Sequence, residues 1–356
     1  MYNRIKKYQG LLLTVFALQT ACLFGQDTPL KMGTTAASFL EIGVGSAANA
    51  MGNAYTTIAE DLSAIYWNPA RVSVLQHYEV MFMHQPWLAG ISYNFMGGAV
   101  PIENIGVIGL GITMLNSGEI EETTLAYQDG TGSSYDAASV AVSLAFSRQL
   151  TPTFSVGFAG KYISERISTM KASSLALDVG VYVVTPFFER RESNVQGIQI
   201  GMCIANYGGK MKLEGDDTFI AVDPEINEGG NNDLIEADYR TQEYELPTLF
   251  RLGIAYDLFN TSTNRVTLAV DALHPNNNYE YMNTGLQYRL ALWEQLEIKL
   301  RGGYKTLFLT DSVQGLALGF GLNLKISDSG NLRIDYAFSD MGALGKINSY
   351  TVSMIF

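Results

Sequence analysis

The feature that most constrains this chain is an apolar residue at every second position over many successive segments. In Leu332–Ser339 (LRIDYAFS) and Leu296–Arg301 (LEIKLR), apolar side chains alternate with charged or small ones. Neighbouring side chains of a β-strand point to opposite faces, so this period gives each strand one apolar and one polar face. A helix would spread the charges of 296–301 over most of its surface. The pattern therefore predicts β-strands.

Fourteen such segments can be counted along the sequence. The predicted strands are 78–85, 88–100, 105–117, 137–150, 153–165, 173–187, 196–207, 245–259, 264–274, 280–292, 296–308, 314–326, 331–339 and 347–356. An even number brings both ends of a barrel to the same side. The two longest predicted connections, 118–136 and 208–244, both follow odd-numbered strands. Long external loops opposite short periplasmic turns are typical of outer-membrane barrels.

The composition separates a membrane barrel from a soluble β-sandwich. Hydrophobic residues make up 47% of the chain and charged residues only 16%. A sandwich with fourteen long strands would need more charge on its solvated faces. We therefore expect an all-β, 14-stranded antiparallel transmembrane β-barrel, in contact with outer-membrane lipid. The net charge of −12 argues against a nucleic-acid partner.

The first 25 residues are predicted to be an export signal. Basic residues at 4, 6 and 7 precede the short apolar stretch Leu11–Leu18, which is too short to span a membrane as a helix. Cleavage is expected near Gly25–Gln26, with a lipoprotein signal ending at Cys22 as the alternative. The chain then divides into a signal at 1–25, a non-alternating segment at 26–76 and the barrel at 77–356.

The segment 26–76, here called the hatch, is rich in small residues and is expected to fold inside the barrel. Its sequence at 34–43, 50–54, 60–61 and 67–70 resembles the PorV/PorQ family, which is itself similar to the FadL group of fatty-acid transport barrels. The residues of the hatch motif are Met51, Gly52, Trp67, Asn68, Pro69 and Ala70.

The resemblance implies a barrel plugged by its N-terminal segment. It also implies a role in type IX protein secretion, whose named PorV-type members bind the C-terminal signal domain of secreted cargo. This chain looks closer to the generic members of the family than to PorV itself. Two hypotheses for its function follow. One is an accessory barrel that binds secretion components or cargo at its outer mouth, and the other is a FadL-like importer of hydrophobic small molecules. A structural outer-membrane protein with no transported substrate is a third possibility.

Charged residues of both signs are predicted to face the lumen. Paired charges that hold the hatch are one interpretation, since unpaired charges in a confined space are costly; a selective path for a polar solute is the other. The main candidates are Arg251, Asp257, Asp271, Arg289, Arg301, Arg333 and Asp335, with Lys161, Asp178, Glu297, Lys299 and Lys325 on the same predicted face.

Two other segments are candidate recognition sites. The acidic stretch 208–244 is either a solvated loop or a partner surface, with Phe219, Ile220, Leu234 and Ile235 as apolar anchors. It contains no EF-hand calcium motif. The C-terminal stripe is an expected signal for the barrel assembly machinery and consists of Tyr350, Val352, Met354 and Phe356.

The sequence offers little for catalysis or cofactor binding. Its three histidines are His77, His84 and His274, and no nucleophile motif lies beside them. Beyond the predicted signal, Cys203 is the remaining cysteine, so an internal disulfide or a cysteine metal site is not expected. We expect no enzymatic activity, no cofactor and no metal.

Overall fold

The structure is a computed structural model that describes residues 32–190, 195–222, 235–293, 295–310, 312–327 and 330–356. The predicted export signal and Leu234 of the predicted partner surface lie outside these residues. Within them, no helix is long and apolar enough to cross a membrane.

Fourteen strands of the described chain close into one antiparallel barrel, as the alternation predicted. They are β1 Glu79–Pro86, β2 Ser92–Ile102, β3 Gly106–Glu121, β4 Ser134–Thr151, β5 Phe154–Ile167, β6 Met170–Val184, β7 Gln199–Gly208, β10 Leu249–Asn260, β11 Asn264–Pro275, β12 Tyr281–Trp293, β13 Leu296–Leu307, β14 Leu316–Ser327, β15 Gly330–Asp340 and β16 Lys346–Ile355. Each pairs with its neighbour in sequence, and β1 pairs with β16 to complete the ring.

The structure corrects several details of the sequence prediction. β2 begins at Ser92 rather than at 88, because Leu88–Gly90 forms a short 3₁₀ turn with Ala89 at φ 55°. β3 and β4 extend past the predicted ends and pair as far as Glu121 and Ser134, beyond an irregularity between Asn116 and Glu119. The predicted loop 208–244 contains a further hairpin, β8 Phe219–Val222 paired with β9 Ile235–Asp238.

The two faces of the barrel wall differ in chemistry. On β10, Phe250 and Ile254 are 39% and 45% exposed on the outside, whereas Arg251 and Asp257 are buried inside. The outer surface is therefore apolar and suited to contact lipid, and the lumen contains the charges, as in transmembrane barrels. We call the end with the long connections after β3 and β7 the outer end, and the opposite end the inner end.

The described part of the hatch fills the lumen. Its regular elements are a 3₁₀ turn Ser38–Glu41, short helices Ser46–Ala50 and Ala64–Trp67, and a 3₁₀ helix Pro69–Val74. Nearly all of its residues from 43 to 72 are buried. The main apolar core of the molecule thus lies between the hatch and the inner wall of the barrel, and not between two layers of the wall.

Candidate functional site

The Asn68–Pro69 turn anchors the hatch to the wall of β6. The Asn68 side chain is buried and donates from Nδ2 to the carbonyl oxygens of Thr56 (3.1 Å) and Val181 (3.0 Å). Its Oδ1 accepts from the backbone N–H of Ala70 at 3.1 Å and so caps the 3₁₀ helix that Pro69 begins. The Asn68 side-chain amide therefore forms hydrogen bonds with two backbone groups of the hatch and one of the wall.

Arg251 of β10 holds the end of the preceding hatch helix. Its Nη1 donates to the carbonyl oxygens of Tyr66 (2.8 Å) and Trp67 (3.3 Å), the last residues of that helix. Helix C-terminal carbonyls lack internal partners and attract cations. The guanidinium also lies 4.8 Å from the centroid of the Tyr66 ring and 5.2 Å from that of Trp67. Trp67 in turn donates from Nε1 to Val44 O at 2.7 Å.

Asp271 of β11 accepts hydrogen bonds from the hatch backbone, whereas Arg251 donates them. Its Oδ2 accepts hydrogen bonds from the backbone N–H groups of Tyr55 (3.0 Å) and Thr56 (2.9 Å). Side chains from two adjacent strands thus bind the hatch backbone, Arg251 through carbonyls and Asp271 through amides. Such charge-assisted bonds are stronger than neutral ones.

Other lumen charges are paired. Lys161 Nζ lies 2.6 Å from Asp178 Oδ2, and Arg301 Nη1 lies 2.6 Å from Asp335 Oδ1, with all four side chains buried. Further pairs are Arg265–Asp257 at 2.9 Å, Arg289–Glu297 at 3.4 Å, Arg333–Glu79 at 3.4 Å, Lys299–Glu297 at 3.4 Å and Lys299–Glu60. Lys325 is exposed on β14. Most of the predicted lumen charges therefore lie inside, paired with one another or bound to the hatch.

Met51 and Gly52 pack against a part of the wall where glycines leave the strand backbone uncovered. Met51 is fully buried, and Gly52 adopts φ 63°. A Cβ on Gly52 would come within 2.6 Å of the backbone nitrogen of Tyr304, and one on Gly285 would come within 2.4 Å of Met51 O. The hatch backbone therefore touches the barrel backbone on β12 and β13, a contact that sequence analysis did not identify.

The main apolar core extends into the outer half of the lumen on the side of β4 to β7. Phe39 and Leu40 of the hatch are buried there in one hydrophobic cluster with Ile163, Met211 and Leu246. Smaller wall members of the cluster are Ala141, Ala172 and Ala176. The 3₁₀ turn Ser38–Glu41, which contains both side chains, is held by Tyr66 Oη, which donates to Leu40 O at 2.9 Å. We call this group the outer apolar cluster.

Cavities lie on both sides of the hatch. The outer cavity has a volume of about 210 Å³ and is bounded by hatch residues Gly43, Asn49 and Asn53 and by the outer ends of β1, β13, β15 and β16. The inner cavity has a volume of about 230 Å³, with Glu60, Glu79 and Arg333 in its lining. In the described chain, no cluster of three or more His, Cys, Asp or Glu is arranged to hold a metal ion.

The remaining candidates lie at the rims. Phe219 and Ile235 of the β8–β9 hairpin are 56% and 55% exposed, and Ile220 is half-buried. Tyr350, Val352 and Met354 form an outward stripe on β16, and Phe356 N–H donates to Tyr78 O at 2.9 Å. His84 and His274 lie on different strands, where they contact Asn94 (2.7 Å) and Glu280 (2.9 Å).

Comparison with solved structures identifies the architecture. The toluene transporter TodX of Pseudomonas putida superposes with a TM-score of 0.55 at 11% identity, over 88% of this chain and 98% of that one. This chain has the fold of the FadL-type barrels. The toluene transporter TbuX of Ralstonia pickettii (TM-score 0.52, 11% identity, 88% and 97% coverage) and a FadL homologue of Pseudomonas aeruginosa (0.53, 10%, 88% and 98%) agree.

No protein-family model matches the sequence, and no curated protein matches it. The solved structures support the FadL-like part of the sequence resemblance and not its PorV/PorQ part. With its apolar outer surface and its FadL-type fold, the protein is an outer-membrane barrel.

Proposed function

We propose that the protein transports small hydrophobic compounds across the outer membrane. The observation that carries this proposal is the fold of this hatch-filled 14-stranded barrel, which superposes on two toluene transporters and a FadL homologue. Between the two function hypotheses drawn from the sequence, the importer is therefore the one that we favour.

The outer apolar cluster is the entry site that this proposal requires. It lies in the half of the lumen nearest the outer end, where a compound from outside would arrive. Phe39 and Leu40 place an aromatic and an aliphatic side chain among apolar wall residues. These hatch side chains occupy a position that is chemically suited to hydrocarbon, because burial of apolar surface is the main favourable term for such ligands.

The backbone next to these side chains is held by long-range contacts. Ala37 adopts φ 52°, an uncommon conformation for a residue with a Cβ. Its N–H donates to Glu165 Oε2 at 3.1 Å, and the N–H of Ala36 donates to Glu245 O at 3.0 Å. The wall and the connection that follows β7 thus fix the turn in place, so a change in either would alter access to the cluster.

Uptake in whole cells tests the proposal. Radiolabelled toluene and oleate would be supplied to host cells that lack their own FadL-type barrel and express this chain. Wild-type protein is expected to raise uptake several-fold over the empty vector. Phe39→Asp, which places a carboxylate in the outer apolar cluster, is expected to remove most of this gain, whereas Ser38→Asp at the exposed neighbouring position should retain it. Uptake equal to the empty vector by a folded wild-type barrel would overturn the proposal.

An accessory role in type IX secretion is the second candidate. It is supported by the resemblance of the hatch motif and by the β8–β9 hairpin, whose exposed Phe219 and Ile235 suit a protein partner. Crosslinking to secretion components that depends on Phe219 and Ile235, together with unchanged hydrocarbon uptake in a Phe219→Ser/Ile235→Ser variant, would favour this candidate. Loss of uptake without any crosslinked partner would count against it.

A further inference from the structure

The outer cavity differs in chemistry from the outer apolar cluster. Its lining combines polar and apolar side chains. The polar ones include Asn49, Asn53, Gln85, Lys305 and Ser349, and the large apolar ones are Ile42, Trp87, Met341 and Ile347. At about 210 Å³ it is smaller than the roughly 300 Å³ at which pockets for drug-sized ligands begin. Its size and its mixed lining suit a small solute that carries both polar and apolar groups.

Lys305 is the unusual residue of this cavity. It lies near the outer end of β13 and is only 7% exposed. Its backbone N–H donates to Gly315 O at 3.0 Å, but among the described residues its ammonium group has no hydrogen-bond or ion-pair partner. A buried cation without a partner is destabilising unless an anion or water compensates it. The cavity is the space from which an anion could reach it.

A second polar group beside the cavity, a side-chain acceptor, lacks a hydrogen-bond donor. Asn53 Oδ1 is buried and accepts no hydrogen bond within the described chain. Gly43 leaves room for this amide, because a Cβ built there would lie 2.9 Å from Asn53 Oδ1 and 2.7 Å from Asn49 Oδ1. Asn53 Oδ1 has almost no accessible surface, so the cavity itself presents the unpaired Lys305 ammonium and not this acceptor.

Neighbouring contacts hold the cavity walls in place. Asn49 Nδ2 donates to Gln85 Oε1 at 2.9 Å and to Ser349 Oγ at 3.4 Å, which links the hatch to β1 and β16. Glu41 is also part of the lining, and its Oε1 accepts from Asn277 Nδ2 at 3.2 Å. Glu41 adds acceptor character, so a ligand that carries only negative charge would not satisfy the cavity.

We propose that the outer cavity binds a small carboxylate that also carries a hydrogen-bond donor, namely an α-hydroxy or α-amino acid. The carboxylate pairs with the Lys305 ammonium, and the hydroxyl or ammonium of the ligand donates to the Glu41 carboxylate. This site is separate from the outer apolar cluster and does not depend on transport of hydrophobic compounds.

Isothermal titration calorimetry on the purified full chain in detergent micelles tests the site. Lactate, alanine, propionate and lactamide would be the probes. Lactate or alanine is expected to bind at least tenfold more tightly than propionate, which lacks the donor, and than lactamide, which lacks the charge. Whichever of lactate and alanine binds more tightly identifies the donor as a hydroxyl or an ammonium. Absence of saturable binding by either, or equal affinity for lactamide, would overturn the proposal.

Variants separate a binding role from a structural one. Lys305→Met should lower the affinity for the preferred probe at least tenfold and, without ligand, should raise the denaturation midpoint, because it removes an uncompensated buried charge. Lys346→Met, at an exposed position of the same end, should change neither. Unchanged affinity in Lys305→Met, or a lowered midpoint without ligand, would contradict the assignment. Hydrocarbon uptake in the same variants reports separately on the proposed transport function.

Discussion

A Cβ placed on Gly303 of β13 would lie 2.3 Å from the carbonyl carbon of Met51, so the hatch backbone lies directly against the barrel wall. The nearest atoms are all backbone, with Gly52 N and Met51 O each at 2.4 Å, and backbone atoms cannot rotate away as a side chain can. The hatch can therefore occupy its position only while the wall has no side chain there.

Gly303→Ala should displace the hatch or strain the wall. We expect a loss of about 1–3 kcal/mol, the usual cost of overpacking, measured by denaturant unfolding of the refolded barrel. Gly160→Ala is the matched control, because a Cβ at that outward position of β5 meets no atom within 4 Å. Equal stability of the two variants would show that the hatch is not in close contact with β13.

Asp271 is expected to hold the hatch through the two backbone N–H groups of Tyr55 and Thr56. Asp271→Ala would leave both donors buried without an acceptor, at an expected cost of about 2–4 kcal/mol. Asp271→Asn keeps one acceptor oxygen and should lose less than half as much. The free energy of unfolding of the three proteins in the same micelles measures this, and equal losses in the two variants would contradict a hydrogen-bonding role.

The barrel could be predicted from the sequence because the alternation of apolar residues that gives its strands is a local pattern. Alternation identifies which residues face outward. The strand count then determines at which end of the barrel each connection lies, so the long connections fall at one end and the short ones at the other. Strand ends were less accurate, since turns such as Leu88–Gly90 contain apolar residues that resemble a continuing strand. The β8–β9 hairpin was missed because acidic residues dominate the loop around its two short strands.

The contacts of the lumen charges were not predictable in the same way. Alternation places Arg251 and Asp271 inside, but their partners are backbone groups of a non-periodic segment 184 to 216 residues away in sequence. Lys305 continues the inward period of Arg301 and Gly303, so the same rule would have placed it in the lumen. That it lacks a partner can be recognised only in three dimensions.

Glu60 gives the hatch a dependence on pH. Burial raises the pKa of its carboxyl, but Lys299 and Arg333 lower it by more, so the pKa lies well below its usual value. A depressed pKa means that the ionised form stabilises the folded state. This contribution is complete above the unfolded pKa of about 4.3 and is lost as the pH falls through the folded value.

Glu60→Gln is therefore expected to be less stable than wild type at pH 7, with a difference that narrows below about pH 4.3. Denaturation midpoints between pH 7 and pH 3 measure it. Glu103→Gln, in an exposed turn at the same end of the barrel, should show no such narrowing. A constant difference across the pH range would show that the Glu60–Lys299 pair does not stabilise the hatch.

Phe356 is expected to matter for assembly more than for stability. The residue is 51% exposed, and its backbone N–H donates to Tyr78 O, so replacing the side chain leaves the closing hydrogen bond intact. If the outward stripe that ends at Phe356 is the signal for the assembly machinery, Phe356→Ala should lower the folded fraction in cells several-fold. The purified variant should still refold in detergent as well as wild type does.

Phe356→Tyr keeps the aromatic ring and should assemble normally. The folded fraction is measured by the shift in gel mobility between unheated and boiled membrane samples. Normal assembly of Phe356→Ala in cells, or a refolding defect equal to its assembly defect, would refute a signalling role.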